Sequence, residues 1–227
     1  MLRPVYVDGT IATEAVALHE DLELSRVPPL PPELLTAVEL VDGDIATIRN
    51  TLTAYDRTNA MALVALSALV CRLDGERPDQ GSARGASVSP APPLTIPLPA
   101  LPSMTELPPA VADLVVMLNR LGTRRDQPVL ASMYRHLAYW PVYLALAWTL
   151  IAPLDADGSL DRSIVDAKKK ARMRAERIAA RLDVPSGSPI DPALSAAIRS
   201  AIEPFAGDAI AKMVVICALL RAATDGS

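Results

Sequence analysis

Ser132, His136 and Asp126 have the side-chain types of a nucleophile, a base and an orienting carboxylate. Ser132 and His136 lie one helical turn apart, so a helix would put them on one face, with Asp126 upstream. Hydrolytic serine chemistry needs such a trio within hydrogen-bond reach. No Gly-x-Ser-x-Gly elbow surrounds Ser132, and a surface or satisfied core histidine is the ordinary reading of His136. Asn59 and Ser132 can both hydrogen-bond a carboxylate or a water, although capping or back-bonding is their commoner role. Asp126 reads first as a helix N-cap following Arg124 and Arg125. His19 stands alone and is read as solvated. Two histidines with no carboxylate–histidine cluster give no metal site, and no cofactor is expected.

Other side chains narrow the classes further. Lys170, Arg174, Arg177 and Arg181 recur at helical spacing with acidic residues between them, which predicts a solvated basic face. Tyr139, Trp140, Tyr143 and Trp148 cluster as core packing or a pocket wall. A formal net charge of -4 argues against a nucleic-acid partner. Cys71 and Cys217 lie far apart in apolar segments without a Cys-x-x-Cys, as buried thiols do in a reducing compartment. The first residues, Met-Leu-Arg-Pro-Val-Tyr, lack the basic and apolar regions of a signal peptide. The most apolar run, 137–152, is interrupted by Pro141 and is too short to span a bilayer. A soluble cytoplasmic protein without membrane contact is the expectation.

The elements that must position these residues are helical. Of 227 residues 51% are hydrophobic, enough for a core, while only 4% are aromatic and Gly is scarce, against a sandwich or barrel. Ile11, Ala15, Leu18 and Leu22 recur at helical spacing after Asp8-Gly9-Thr10. A short helix follows Pro31-Pro32. Asp44 is placed to cap a helix over 45–55, and Thr58 or Asn59 to cap a second over 60–73. Residues 75–104, rich in Gly, Ser and Pro, read as a linker whose second, Pro-rich part lies along the surface. Helices resume at Pro108, over a short element before Leu137, from Tyr139 to Pro153, from Asp157 toward Pro185, from Asp191 to Phe205 and from Asp208 onward.

An internal repeat runs through this pattern. Residues 48–70 lie over 198–220 without a gap, with identities Ile48/Ile198, Arg49/Arg199, Val64/Val214, Ala68/Ala218 and Leu69/Leu219. Residues 2–11 lie over 151–160, matching Pro4/Pro153, Asp8/Asp157 and Gly9/Gly158. The expected fold is therefore all-α, two related helical repeats forming a pseudo-dimer, the first N-terminally incomplete. Residues 1–75 form the partial first repeat, 76–104 the linker and 105–227 the complete second repeat. On this reading helices 8–25 and 60–73 lack packing partners, which predicts self-association as a homo-oligomer.

The second repeat resembles the group I (DehI-type) 2-haloacid dehalogenases. The resemblance is carried by Leu130-Ala131-Ser132-Met133-Tyr134, Leu137-Ala138-Tyr139-Trp140-Pro141 and Leu150-Ile151-Ala152-Pro153. The family pattern there is roughly Ala-Ser-Asp-aromatic, Leu-Ala-x-Trp-Pro and a Leu-Ala-Pro end. The resemblance implies a two-repeat helical fold and hydrolysis of the carbon–halogen bond of a small 2-haloalkanoate, without metal or covalent ester. An aspartate takes a proton from a water that attacks Cα and expels halide. It implies a catalytic position at Met133, where the family has its aspartate, an active-site Asn at Asn59, and substrate contacts from Ala131, Ser132 and Tyr139. A thioether cannot take a proton from water near pH 7. The implied partner is a small 2-halo acid or related small carboxylate. The other reading is a non-catalytic small-molecule-binding or assembly protein on the same fold.

Overall fold

The computed structural model describes residues 2–74, 97–123, 125–126, 128–179, 182 and 191–226. Among them the chain is all helical, with no strand. The order is α1 (Arg3–Val7), α2 (Thr10–Asp21), α3 (Pro32–Ala37), α4 (Asp42–Leu73), a 3₁₀ turn (Met104–Glu106), α5 (Pro109–Arg120), α6 (Ser132–Leu137), α7 (Pro141–Ala156), α8 (Ser159–Ala179), α9 (Pro192–Ile202), a π-helical stretch (Glu203–Ile210) and α10 (Ala211–Asp225). Residues 76–96 of the expected linker and Arg181 of the basic stripe lie outside the described residues.

Local chemistry explains most helix starts. α3, α5, α7 and α9 each open on a proline, whose φ is preset for a helix and whose missing N–H falls where the helix offers no acceptor. The Asp191 side chain caps α9, accepting from the Ala193 N–H at 3.0 Å. Two Asp-Gly turns share one pattern. At the first, Asp8 N–H donates to the Pro4 carbonyl, Gly9 takes φ +78°, and Asp8 Oδ1 accepts from the Thr10 N–H at 2.9 Å. At the second, Asp157 N–H donates to the Pro153 carbonyl, Gly158 takes φ +74°, and Asp157 Oδ1 accepts from the Ser159 N–H at 2.8 Å. Left-handed backbone at both sites favours glycine.

Tertiary packing overrides local signals elsewhere. The two helices predicted over 45–55 and 60–73 are one, the 32-residue α4. Thr58 does not cap; its hydroxyl donates back to the Ala54 carbonyl at 2.7 Å inside the helix, and Asn59 reaches sideways to Cys217. With no Gly or Pro between Asp44 and Leu73 to break it, packing along its length decides. Asp44 sits inside the first turn rather than at the cap, accepting from the Val41 N–H at 3.3 Å. The break predicted between Phe205 and Asp208 is also absent. A π-helical stretch joins α9 to α10 there, a widened turn that accommodates Pro204.

α4 is the axis of the core and packs on α2, α8 and α10. α10 is buried on nearly every side. Ile11, Ala15 and Leu18 of α2 and Ala60, Leu63, Val64, Ala68 and Cys71 of α4 are all buried within the chain. The expectation that these two helices lack partners is therefore corrected, and with it the packing reason for self-association. The basic stripe is solvated at Arg177, as expected, but not at Lys170 and Arg174. Lys170 pairs with Asp166 at 2.7 Å and Arg174 with Glu14 at 2.9 Å, and Arg174 also binds Asp21, so these residues form an ionic seam between α8 and α2. His19 likewise approaches a charge, its Nε2 3.4 Å from Asp56 Oδ1.

Candidate functional site

Asn119, at the end of α5, sets the entry to α6. Its buried amide donates to the Val129 carbonyl at 3.2 Å and accepts from the Ala131 N–H at 3.0 Å. This clamp aligns Ala131, from which α6 starts with Met133, Tyr134, His136 and Leu137 turned inward. Met133 is fully buried. Its sulfur lies 3.3 Å from the Cys217 thiol of α10, and the Asn59 amide of α4 lies 3.7 Å from the same thiol. Met133 and Asn59 thus meet, from different helices, across Cys217. Burial pushes the Cys217 thiol well up, so it stays a neutral S–H that donates to the thioether. Tyr134 is also fully buried, and burial raises its phenol. This centre is a packed sulfur-lined core, and no water reaches the Met133 sulfur.

The other candidates stand apart. Ser132 is half-buried beside Tyr55, whose phenol burial pushes up to about 12 while the Ser132 side chain pulls it down. His136 is tied elsewhere: its Nε2 lies 3.0 Å from the Pro99 carbonyl and its Nδ1 2.7 Å from the Tyr55 hydroxyl. A carbonyl only accepts, so Nε2 carries the proton and the Tyr55 O–H donates to Nδ1. Burial holds the imidazole below its ordinary value, and the neutral tautomer is kept. Both ring nitrogens are engaged, so no Ser132–His136–Asp126 arrangement forms. Asp126 is exposed in the loop well ahead of α6 and caps no helix. Tyr139 is 49% exposed and donates to the Ala100 carbonyl at 2.8 Å, away from Met133. Asp56, buried near Asn59 on α4, is engaged by Arg221 and approached by His19.

Sequence reasoning missed a cleft of about 730 Å³ between the loop after α5, the first half of α8 and the π-helical stretch. Four basic residues, Arg125, Arg162, Lys168 and Lys169, line it together with four acidic ones, Asp161, Asp166, Glu203 and Asp208. Asp208 accepts from the Thr123 hydroxyl at 2.8 Å and pairs with Arg125 at 3.5 Å. Gly122 takes φ +66° at its edge, and a Cβ there would stand 2.7 Å from Ile164 Cδ1. Asp155 accepts from the Gly122 N–H at 2.8 Å. Beneath the loop lies Lys212, fully buried and bonded to the Asn119 carbonyl. Burial lowers its ammonium to about 8, against the opposing pull of Asp208 and Asp155. The signal for it was in the sequence: a single cation inside the apolar run 209–220.

Among the described residues no group of three or more His, Cys, Asp or Glu could hold a metal ion. No described helix is long and apolar enough to cross a membrane. No family model matches the chain, and no curated protein matches it.

Proposed function

We propose that this chain is a non-catalytic helical binding protein that keeps the group I 2-haloacid dehalogenase arrangement without its hydrolytic base. The observation that carries this reading is the buried thioether of Met133, at the position where the resemblance would place the family's aspartate. It is sealed against Cys217 at 3.3 Å, with no exposed surface. A positioned general base contributes about 10²–10⁴-fold to such a reaction, and a thioether supplies none of it. Asn59 at the same centre points its amide at the Cys217 thiol, 3.7 Å away.

The ligand we assign is a small carboxylate held in the α5–α8 cleft. Its volume of about 730 Å³ falls within the range of small-molecule sites; of its four carboxylates Asp166 is paired with Lys170 and Asp208 with Arg125, which leaves Arg162, Lys168 and Lys169 to meet a ligand carboxylate. Two related helical units underlie the fold on this reading. The paired turns at Asp8-Gly9-Thr10 and Asp157-Gly158-Ser159, with matched left-handed glycines and matched side-chain bonds, support that organisation. Two buried thiols, neither in a disulfide, suit a cytoplasmic location.

Calorimetric titration with 2-chloropropionate and with lactate tests the assignment. Binding of either acid that weakens at least about tenfold in Arg162→Ala with Lys169→Ala supports it, at about 1.4 kcal/mol per tenfold. Absence of binding by both acids, or binding indifferent to the two substitutions, overturns it.

A further inference from the structure

The segment 97–103, Pro-Leu-Pro-Ala-Leu-Pro-Ser, forms no helix or strand and lies against His136 and Tyr139; its proline spacing favours an extended polyproline-II backbone. Two side chains receive it through its main chain. The Pro99 carbonyl accepts from His136 Nε2 at 3.0 Å, and the Ala100 carbonyl accepts from the Tyr139 hydroxyl at 2.8 Å. Each of the two receiving rings has an aromatic neighbour: Tyr55 tilts against His136 with centroids 5.6 Å apart, and Trp140 meets Tyr139 edge-on at 6.1 Å. Aromatic side chains that donate to the carbonyls of a proline-rich strand are a means by which polyproline-II ligands are recognised, because that conformation leaves its carbonyls unpaired.

We propose that the α4–α6 face formed by Tyr55, His136 and Tyr139 is a receptor for proline-rich extended peptides of a partner protein, with residues 97–102 as its intramolecular occupant. Three observations carry this. Both hydrogen bonds go to backbone carbonyls of the segment, so another Pro-x-x-Pro strand can supply the same acceptors. The segment is lightly held: Leu101 is 40% exposed and Tyr139 49%, so one edge of the contact stays open to solvent. Finally, His136 is buried, its Nδ1 is taken by Tyr55 and its Nε2–H is satisfied by Pro99 alone. Departure of the segment leaves a buried donor unpaired, so the face requires a replacement carbonyl from any ligand that displaces it. A tethered occupant at high effective concentration masks the site until a partner of higher affinity or local abundance competes.

The test uses the full chain and a fluorescein-labelled synthetic peptide of residues 97–103, read by fluorescence anisotropy. The variant Pro97→Gly, Pro99→Gly, Pro102→Gly removes the polyproline bias of the internal segment. It should bind the peptide at least about tenfold more tightly than the wild type. Adding Tyr139→Phe to that variant removes one donor from an exposed residue without disturbing the core. It should weaken binding about fivefold, the loss expected for one neutral hydrogen bond. A peptide with the three prolines replaced by alanine should bind at least about tenfold more weakly. The proposal is overturned if the opened variant binds no better than the wild type, if Tyr139→Phe leaves affinity unchanged, or if the alanine peptide binds equally well.

Discussion

Lys212 offers the sharpest energetic test of the core. Its ammonium is fully buried under the loop after α5, and its pKa is pushed from 10.5 down to about 8. At about 1.4 kcal/mol per unit, keeping that lysine charged costs about 3 kcal/mol at pH 7, where folded and unfolded chains both protonate it. The sign follows from the depressed value. Between pH 8 and 10.5 the unfolded chain binds more protons than the folded one, so stability rises with pH through that window. Lys212→Met removes the titration. At pH 7 it relieves the desolvated charge but strips the Asn119 carbonyl of its donor, a loss of about 1–3 kcal/mol, so the net change there is small. Asp155 and Asp208 keep other partners, the Gly122 N–H and the Thr123 hydroxyl. The informative quantity is the difference in urea-unfolding free energy between wild type and variant, measured from pH 7 to 10. Cys217, whose thiol is raised, weakens the folded state above pH 9 in both proteins and cancels in that difference. The wild type should gain on the variant by about 2–3 kcal/mol across the range. Parallel curves would refute a buried, charged Lys212.

Further outcomes follow from the same geometry. Cys71 and Cys217 are both buried and neither is in a disulfide, so a thiol reagent at pH 8 should leave the native protein unmodified and label two thiols in denaturant; rapid native labelling of Cys217 would show that its centre is open. His136 is held below its ordinary 6.5, so the unfolded chain protonates first, and its contribution is complete above that pH and lost as pH falls below it. The gap in melting temperature between wild type and His136→Asn should therefore narrow from pH 7.5 to 5.5, and a constant gap would count against the neutral tautomer. Gly122→Ala should destabilise by about 1–3 kcal/mol in urea unfolding, because it adds strain at φ +66° and a clash with Ile164; an unchanged midpoint would contradict this.

What the sequence revealed and what it hid divide by range. Helical periodicity, prolines at helix starts and the two Asp-Gly turns are local, and all of them read directly as helices and their ends. The continuity of α4 was not legible, because Thr58 and Asn59 carry a genuine capping signal that only packing against α8 and α10 overrides. The ionic seam was hidden for a related reason: Arg174 and Glu14 are 160 positions apart, so Lys170 and Arg174 are covered while Arg177 of the same stripe stays exposed. At the centre, family resemblance brought Met133 and Asn59 together as candidates. Cys217, the atom that joins them, carries no local signature. The cleft was invisible because its walls come from three separated segments. His136 was the opposite case, since a satisfied histidine was the ordinary expectation and its two bonds fulfil it.

The account rests on position 133 being sealed and without a base, and halide release measures that most directly. Chloride and bromide should be followed by ion chromatography during incubation with 2-chloropropionate and bromoacetate, for the wild type, Asp56→Asn and Asp126→Asn. The account predicts release indistinguishable from the protein-free control in all three. Sustained wild-type turnover that survives both substitutions would contradict it, because a base would then act at a centre that the packing of Met133 against Cys217 closes.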